Sequence, residues 1–112
     1  MSAFSDIDAS QAIARVQAGA YLVDVREQDE WDRGHAPQAH FIPMSRLSEL
    51  VEQIPADQEV LVVCLSGGRS ARVSSALADA GYQPINVLGG MSAWAAAGGE
   101  LEAADGQEPR IG

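Results

Sequence analysis

The chain has 112 residues, enough for one domain with a modest core of its own, and its composition (46% hydrophobic, 21% charged) is that of a folded globular protein. Sixteen acidic residues stand against seven basic ones, all of them arginine, for a net charge of −9. That balance, with no lysine anywhere, excludes a nucleic-acid footprint, a Walker A loop and a Schiff-base enzyme.

In chain order, the start from Met1 to Asp8 is short, polar and acidic and does not read as a signal peptide. Asp8-Ala9-Ser10-Gln11 reads as a capping box opening a helix to Ala18, with Gly19 as its stop. Residues 21–25 form a buried strand, 29–33 a short acidic helix, and Gly34-His35-Ala36-Pro37 a turn. Phe41 and Ile42 make a short strand, after which Ser45 caps a helix running to Gln53. Residues 60–64 are a continuous apolar run, the pattern of a central strand covered on both faces. A glycine loop leads into a helix over 70–80 that sets Val73, Ala76, Leu77 and Ala80 on one face, ended by Gly81. A strand over 85–88 and a helix over 91–97, stopped by Gly98-Gly99, complete a domain at 1–99. Residues 100–112 lack an apolar period and read as an exposed, mobile acidic tail. Strands alternating with helices predict an α/β layer fold with a mainly parallel sheet.

No apolar run approaches the ~18 residues of a membrane helix. The expectation is therefore a soluble, cytoplasmic protein with no membrane or nucleic-acid partner. Charge is uneven along it: residues 1–60 carry −7, residues 61–99 carry +1, and residues 100–112 carry −3. The middle segment holds the lone cysteine, Cys64, which can neither close an internal disulfide nor furnish a cysteine-rich zinc site.

Cys64 ends the central strand and opens the loop Leu65-Ser66-Gly67-Gly68-Arg69-Ser70, which enters a helix. In open α/β sheets, ligands sit beyond the carboxyl ends of the strands. Backbone amides and a helix dipole there form an anion cradle, and the same field favours a thiolate. A free thiol is only about 3% ionised at neutral pH, and lowering its pKa by two units takes about 2.7 kcal/mol. A helix terminus contributes up to ~2 kcal/mol, and amide or guanidinium hydrogen bonds can supply the remainder. A cysteine serving only as a small core hydrophobe would need neither the glycines nor Arg69 and Ser70.

This loop, together with Val23-Asp24-Val25-Arg26-Glu27, Gly34-His35-Ala36-Pro37 and Leu88-Gly89-Gly90-Met91-Ser92-Ala93-Trp94, resembles a single-domain rhodanese, from Phe4 to Gly99. The resemblance implies a three-layer domain whose mainly parallel sheet has about five strands, with helices on both faces. It also implies a sulfurtransferase of the thiosulfate-using type, working without cofactor or metal. Cys64 would be the catalytic nucleophile, taking the outer sulfur of a donor such as thiosulfate as a persulfide. A thiophilic acceptor would then remove that sulfur: cyanide in an assay, or a cellular thiol such as thioredoxin or glutathione. Leu65, Ser66, Gly67, Gly68, Arg69 and Ser70 would bind the substrate, with Arg69 holding the anionic donor or the loop itself. Ser70 either donates to the sulfur or caps the helix. A monomer or weak homodimer is expected.

Two other classes compete. One is a non-enzymatic persulfide carrier or redox-sensing module acting with a partner protein. The other is a cysteine-dependent phosphatase, but those place arginine six positions after cysteine, whereas Arg69 is five after Cys64 and the sixth position is Ser70. Leu65 stands where thiosulfate-using rhodaneses often carry a cation, leaving Arg69 and Arg72 as the charges near the thiol. Gln38 stands where glycine usually follows the His-x-Pro turn. Asp24 and Arg26 read as a structural pair, His35 and His40 as structural histidines, and Trp31 and Trp94 as core. Glu30 is a partner for Arg26 or Arg33.

Overall fold

Every named strand pairs in parallel, in a five-stranded sheet of order β1-β5-β4-β2-β3. The computed structural model describes residues 4–112. Its strands are β1 (Ser5–Ile7), β2 (Tyr21–Asp24), β3 (His40–Phe41), β4 (Glu59–Val63) and β5 (Gln83–Val87). Between and after them lie α1 (Ala9–Gln17), α2 (Gln28–Arg33), α3 (Leu47–Leu50), α4 (Gly68–Asp79) and α5 (Gly90–Ala96). The first three residues, part of the expected 1–99 domain and of its polar start, lie outside the described residues.

The period of two along β4 sorts its side chains into two cores. Leu61 and Val63 join Ile85, Val87, Met91 and Trp94 on the face covered by α1 and α5. Val60, Val62 and Cys64 join Val23, Val73 and Leu77 on the face covered by α4. Cys64 therefore continues the even register of β4 into the α4 layer. The α/β layer architecture expected from the sequence is present in full, with helices on both faces.

Several local readings change. Asp8 caps α1 through the expected box, its carboxylate accepting from the Gln11 amide at 2.8 Å. Ser45 caps nothing: its hydroxyl donates to Glu27 Oε1 at 2.6 Å, and the segment it was expected to start divides into 3-10 turns at Met44–Arg46 and Val51–Gln53 around α3. The buried face of α4 is Ser70, Val73, Ser74 and Leu77, whereas Ala76 and Ala80 are exposed. Two i, i+3, i+4, i+7 stripes share Val73 and Leu77. Small serine side chains let the helix lie close to the sheet, so their stripe is the one buried. β1 has no counterpart in the sequence reading, because only Ile7 of its three residues is buried. Its backbone pairs with β5, where Ile7 lies opposite Val87.

Residues 100–112 have mostly exposed side chains, yet their backbone is docked. Glu102 and His35 exchange backbone hydrogen bonds of 2.8 and 2.9 Å, and the amides of Ala104 and Arg110 reach the carbonyls of Asp32 and Arg33. Leu101 and Ile111 pack against the α1/α5 core. The expected mobile tail is thus a strap laid along α2 and the turn after it.

At the end of β2, Asp24 and Arg26 form a buried ion pair, 2.8 Å from Nη2 to Oδ2, with Nε also donating to the carboxylate. A second donation from Arg26 Nη2 to the Gly34 carbonyl, at 2.7 Å, fixes the end of α2 against the sheet. Removing one partner strands the other's charge in the interior. Asp24→Ala should cost about 3–5 kcal/mol of stability, read as a lower urea midpoint at unchanged slope.

Candidate active site

The loop after β4 turns back on itself through Gly67, whose φ of +113° lies in the left-handed region that glycine adopts without strain. Gly67 is also the N-cap of α4, so the chain passes from strand to helix within a few residues of the thiol. The amide of Gly67 donates to Cys64 Sγ at 3.0 Å, and the nearby amides of Ser66 and Ser70 also favour the charged form of the sulfur. The Ser70 hydroxyl lies 3.3 Å from Sγ.

α5 holds the opposite side of this loop. The Met91 amide donates to the Cys64 carbonyl at 2.7 Å and the Ser92 amide to the Leu65 carbonyl at 3.0 Å. This approach requires Gly90, because a Cβ there would collide with the Cys64 carbonyl oxygen.

The thiol is 1% exposed, and burial is the largest influence on it, pushing its pKa up. The Ser70 hydroxyl and the amides of Ser70, Gly67 and Ser66 together outweigh burial, so the pKa lies below the ordinary thiol value. A sulfur buried among apolar neighbours yet surrounded by donors suits an anion better than a neutral thiol.

Arg69 points its fork at Glu30 on α2, with Nη1–Oε1 at 2.7 Å and Nη2–Oε2 at 2.8 Å. Hydrogen bonding from Arg69 holds the Glu30 carboxyl down at about 2, against burial that would raise it. The pair clamps α2 to the start of α4. The charge of Arg69 is thus largely balanced by Glu30.

The model of the rhodanese-like domain matches residues 8–97, nearly the whole of this architecture. The chain belongs to the rhodanese family. Among its relatives, thiosulfate sulfurtransferase 18 of Arabidopsis thaliana is 39% identical over 104 residues, 79% of this chain and 76% of that protein. Thiosulfate sulfurtransferase GlpE of Vibrio cholerae is 33% identical over 99 residues, 88% of this chain and 92% of that one. A rhodanese-like domain protein from Staphylococcus aureus superposes with a TM-score of 0.81 at 31% identity, covering 89% of this chain and 98% of that structure. In Bacillus anthracis CoADR-RHD the match covers 84% of this chain but only 17% of that longer one, with a TM-score of 0.79.

The rhodanese loop brings Cys64, Ser66, Gly67 and Ser70 together at the sulfur, while Arg69 turns away to Glu30. Leu65 is half-buried and joins the site through its carbonyl; Gly68 is exposed at the first turn of α4. Arg72, one turn beyond Arg69, is exposed. His35 and His40 lie elsewhere. His35 stacks on Trp31 at 3.6 Å between ring centroids and donates through Nδ1 to the Trp31 carbonyl at 2.7 Å, and His40 stacks on Tyr21. Trp94 is buried in the core as expected, whereas Trp31 is only half-buried, stacked between His35 and Phe41. Among the described residues no cluster of His, Cys, Asp or Glu could hold a metal. No helix among them is long and apolar enough to cross a membrane.

Sequence reasoning missed two side chains. Glu30 was paired with the arginines nearest in sequence, although the capping box Glu27–Glu30, with the Glu27 amide donating to Glu30 Oε1 at 3.1 Å, marks it as a fixed carboxylate. Asn86, polar in the middle of an apolar strand, is 3% exposed and lies 2.6 Å from Ser70 Oγ.

Two outcomes follow from this geometry. Ser70→Ala removes a donor to the sulfur and should raise the thiol pKa, by about one unit for a bond of ~1–1.5 kcal/mol, read from the pH profile of alkylation. Glu30 is depressed from 4.5 to about 2, so its stabilising contribution is complete above 4.5 and is lost as pH falls toward 2. Glu30→Gln should therefore destabilise the protein at pH 7, and the difference from the parent should shrink towards zero by pH 2, measured as urea midpoints.

Proposed function

We propose that this protein is a sulfurtransferase that moves a sulfane sulfur from a donor such as thiosulfate to a thiophilic acceptor through a persulfide on Cys64. The observation carrying this reading is one buried sulfur that receives the Gly67 amide at 3.0 Å and the Ser70 hydroxyl at 3.3 Å, in a loop whose donors outweigh burial and lower its pKa. The names of its rhodanese relatives support sulfur transfer in general.

In the first step the Cys64 thiolate attacks the outer sulfur of thiosulfate. A Cys64–S bond forms, the S–S bond of the donor breaks, and sulfite leaves with the electron pair. The charge now rests on the outer sulfur of the persulfide, which the loop amides solvate. In the second step the acceptor attacks that outer sulfur and Cys64 departs as the thiolate, giving thiocyanate from cyanide or a new persulfide from a thiol. No external oxidant or reductant enters, and no second cysteine is present to resolve the intermediate within the chain.

The placement of Arg69 argues against the phosphatase alternative. A phosphatase needs its arginine over the phosphate, and here both terminal nitrogens of Arg69 are engaged by Glu30. Among the described residues Arg72 makes no ion pair, and it supplies the free positive charge on the turn beyond the loop. A partner-dependent persulfide carrier would use the same thiol chemistry and differs from an enzyme in turnover.

Intact mass after incubation with thiosulfate is the test. The parent should gain one sulfur atom, removable by reductant, and Cys64→Ser should gain none. Multiple turnovers of thiocyanate from thiosulfate and cyanide should follow. Loading without turnover would leave a carrier, and no loading from any sulfane donor would overturn sulfur transfer.

A further inference from the structure

The Ser70 hydroxyl has one proton and three acceptors within reach: Asn86 Oδ1 at 2.6 Å, the Gly67 carbonyl at 3.2 Å and Cys64 Sγ at 3.3 Å. Asn86 sits on β5 opposite Val62 of β4, so its side chain shares the face that carries Cys64. Its own orientation is fixed from the far side, where Nδ2 donates to Asp6 Oδ1 on β1 at 3.2 Å. With the amide nitrogen engaged there, the carbonyl oxygen faces Ser70. Asp6, Asn86, Ser70 and Cys64 thus form a continuous hydrogen-bonded line across the end of the sheet.

Building on the sulfur-transfer reading of Cys64, we infer that Asn86 is a positioning residue that sets where the Ser70 proton lies as the sulfur gains and loses charge. While Sγ is neutral, as a thiol or as the inner sulfur of a persulfide, it is a poor acceptor and the Ser70 proton rests on Asn86 Oδ1. When Cys64 leaves as a thiolate, Sγ becomes a charged acceptor and the proton turns to it. Attack on a donor discharges Sγ again and the proton returns. The hydroxyl swings between two acceptors without being transferred, so no proton enters or leaves the site.

The sign of the effect follows from the competition. Asn86 holds the proton away from sulfur, which favours the neutral form. Removing its carbonyl leaves Ser70 with the sulfur and the Gly67 carbonyl as acceptors, so the thiolate gains. The charged groups around this line are Asp6 at its outer end, Arg69 with its partner Glu30, the exposed Arg72 one turn on along α4, and the mutually paired Asp24 and Arg26 at the end of β2. β4, β5 and α5 bring none to the site end of the sheet.

The experiment is the pH dependence of iodoacetamide alkylation of Cys64, read by intact mass in the parent, Asn86→Leu, Ser70→Ala and the double variant. Asn86→Leu should shift the profile to lower pH and speed alkylation about fivefold below the parent midpoint, the size of one ordinary hydrogen bond. In the Ser70→Ala background the same substitution should have no effect, because Asn86 acts through Ser70. A merely structural role would not produce that dependence. Profiles of Asn86→Leu and parent that overlay, a shift to higher pH, or an equal shift in both backgrounds would overturn the inference. Should Asn86→Leu fail to fold, Asn86→Val, which suits a buried strand, makes the same comparison. Failure of the parent to load sulfur would overturn the sulfur-transfer reading instead, and alkylation still reports on Asn86.

Discussion

The two hydrogen bonds from the start of α5 to the Cys64 and Leu65 carbonyls are the constraint on which the site depends. A trans peptide sets its C=O and N–H on opposite sides. With the Leu65 carbonyl drawn to the Ser92 amide, the Ser66 N–H is turned the other way, towards the sulfur it serves. Gly90 permits the approach because it has no Cβ, and the left-handed Gly67 then brings the next amide round to Sγ. Apart from the Ser70 hydroxyl, the donors at the thiol are therefore backbone groups held from behind. They cannot rotate away as side chains can, and they meet a developing anion without reorganisation.

A protein of net charge −9 lowers the pKa of this thiol because the relevant field is local. Amide dipoles at about 3 Å act within the low-dielectric interior, whereas the acidic surface acts through water and salt. Arg69 and Glu30 contribute geometry more than net charge, since each balances the other. The same pairing makes their individual removal unequal: losing Glu30 frees a guanidinium beside the thiol, while losing Arg69 leaves a carboxylate there. The acidic shell acts at longer range, on the approach of any small anion, and its effect should be largest at low salt.

Much of this was legible in the sequence, for identifiable reasons. The 60–64 run, the capping box at Asp8 and the glycine loop are local signals, and each became the expected feature. Cys64 and its loop were legible because a glycine-rich turn between strand and helix has few uses other than presenting amides. What escaped depended on long-range placement. β1 is defined by its pairing with β5, 80 residues on, and three residues show no period of their own. Glu30 and Arg69 are 39 positions apart, and nothing nearby in sequence marks them as partners. Asn86 was hidden because its function depends on Ser70, which reaches it only once α4 is packed on the sheet. The docking of 100–112 left no period in the sequence because it rests on backbone hydrogen bonds and on Leu101 and Ile111, which stand ten residues apart.

The buried Asp24–Arg26 pair also bears on the site. A buried ion pair is a weak source of stability compared with apolar packing of the same volume, so its retention calls for another explanation. Arg26 binds Asp24 on one side and the Gly34 carbonyl on the other, and its Nη1 lies 3.5 Å from the Glu30 carbonyl. It therefore fixes α2 at both its middle and its end. The strap reinforces this by holding the Asp32 and Arg33 carbonyls from outside. A six-residue helix with no fully buried side chain would be poorly placed by hydrophobic contact alone. Directional polar bonds set its position instead, and that position decides whether the Glu30 carboxylate meets the Arg69 fork. The charge buried at the end of β2 thus secures the outer edge of the Cys64 loop, while α5 secures the inner one.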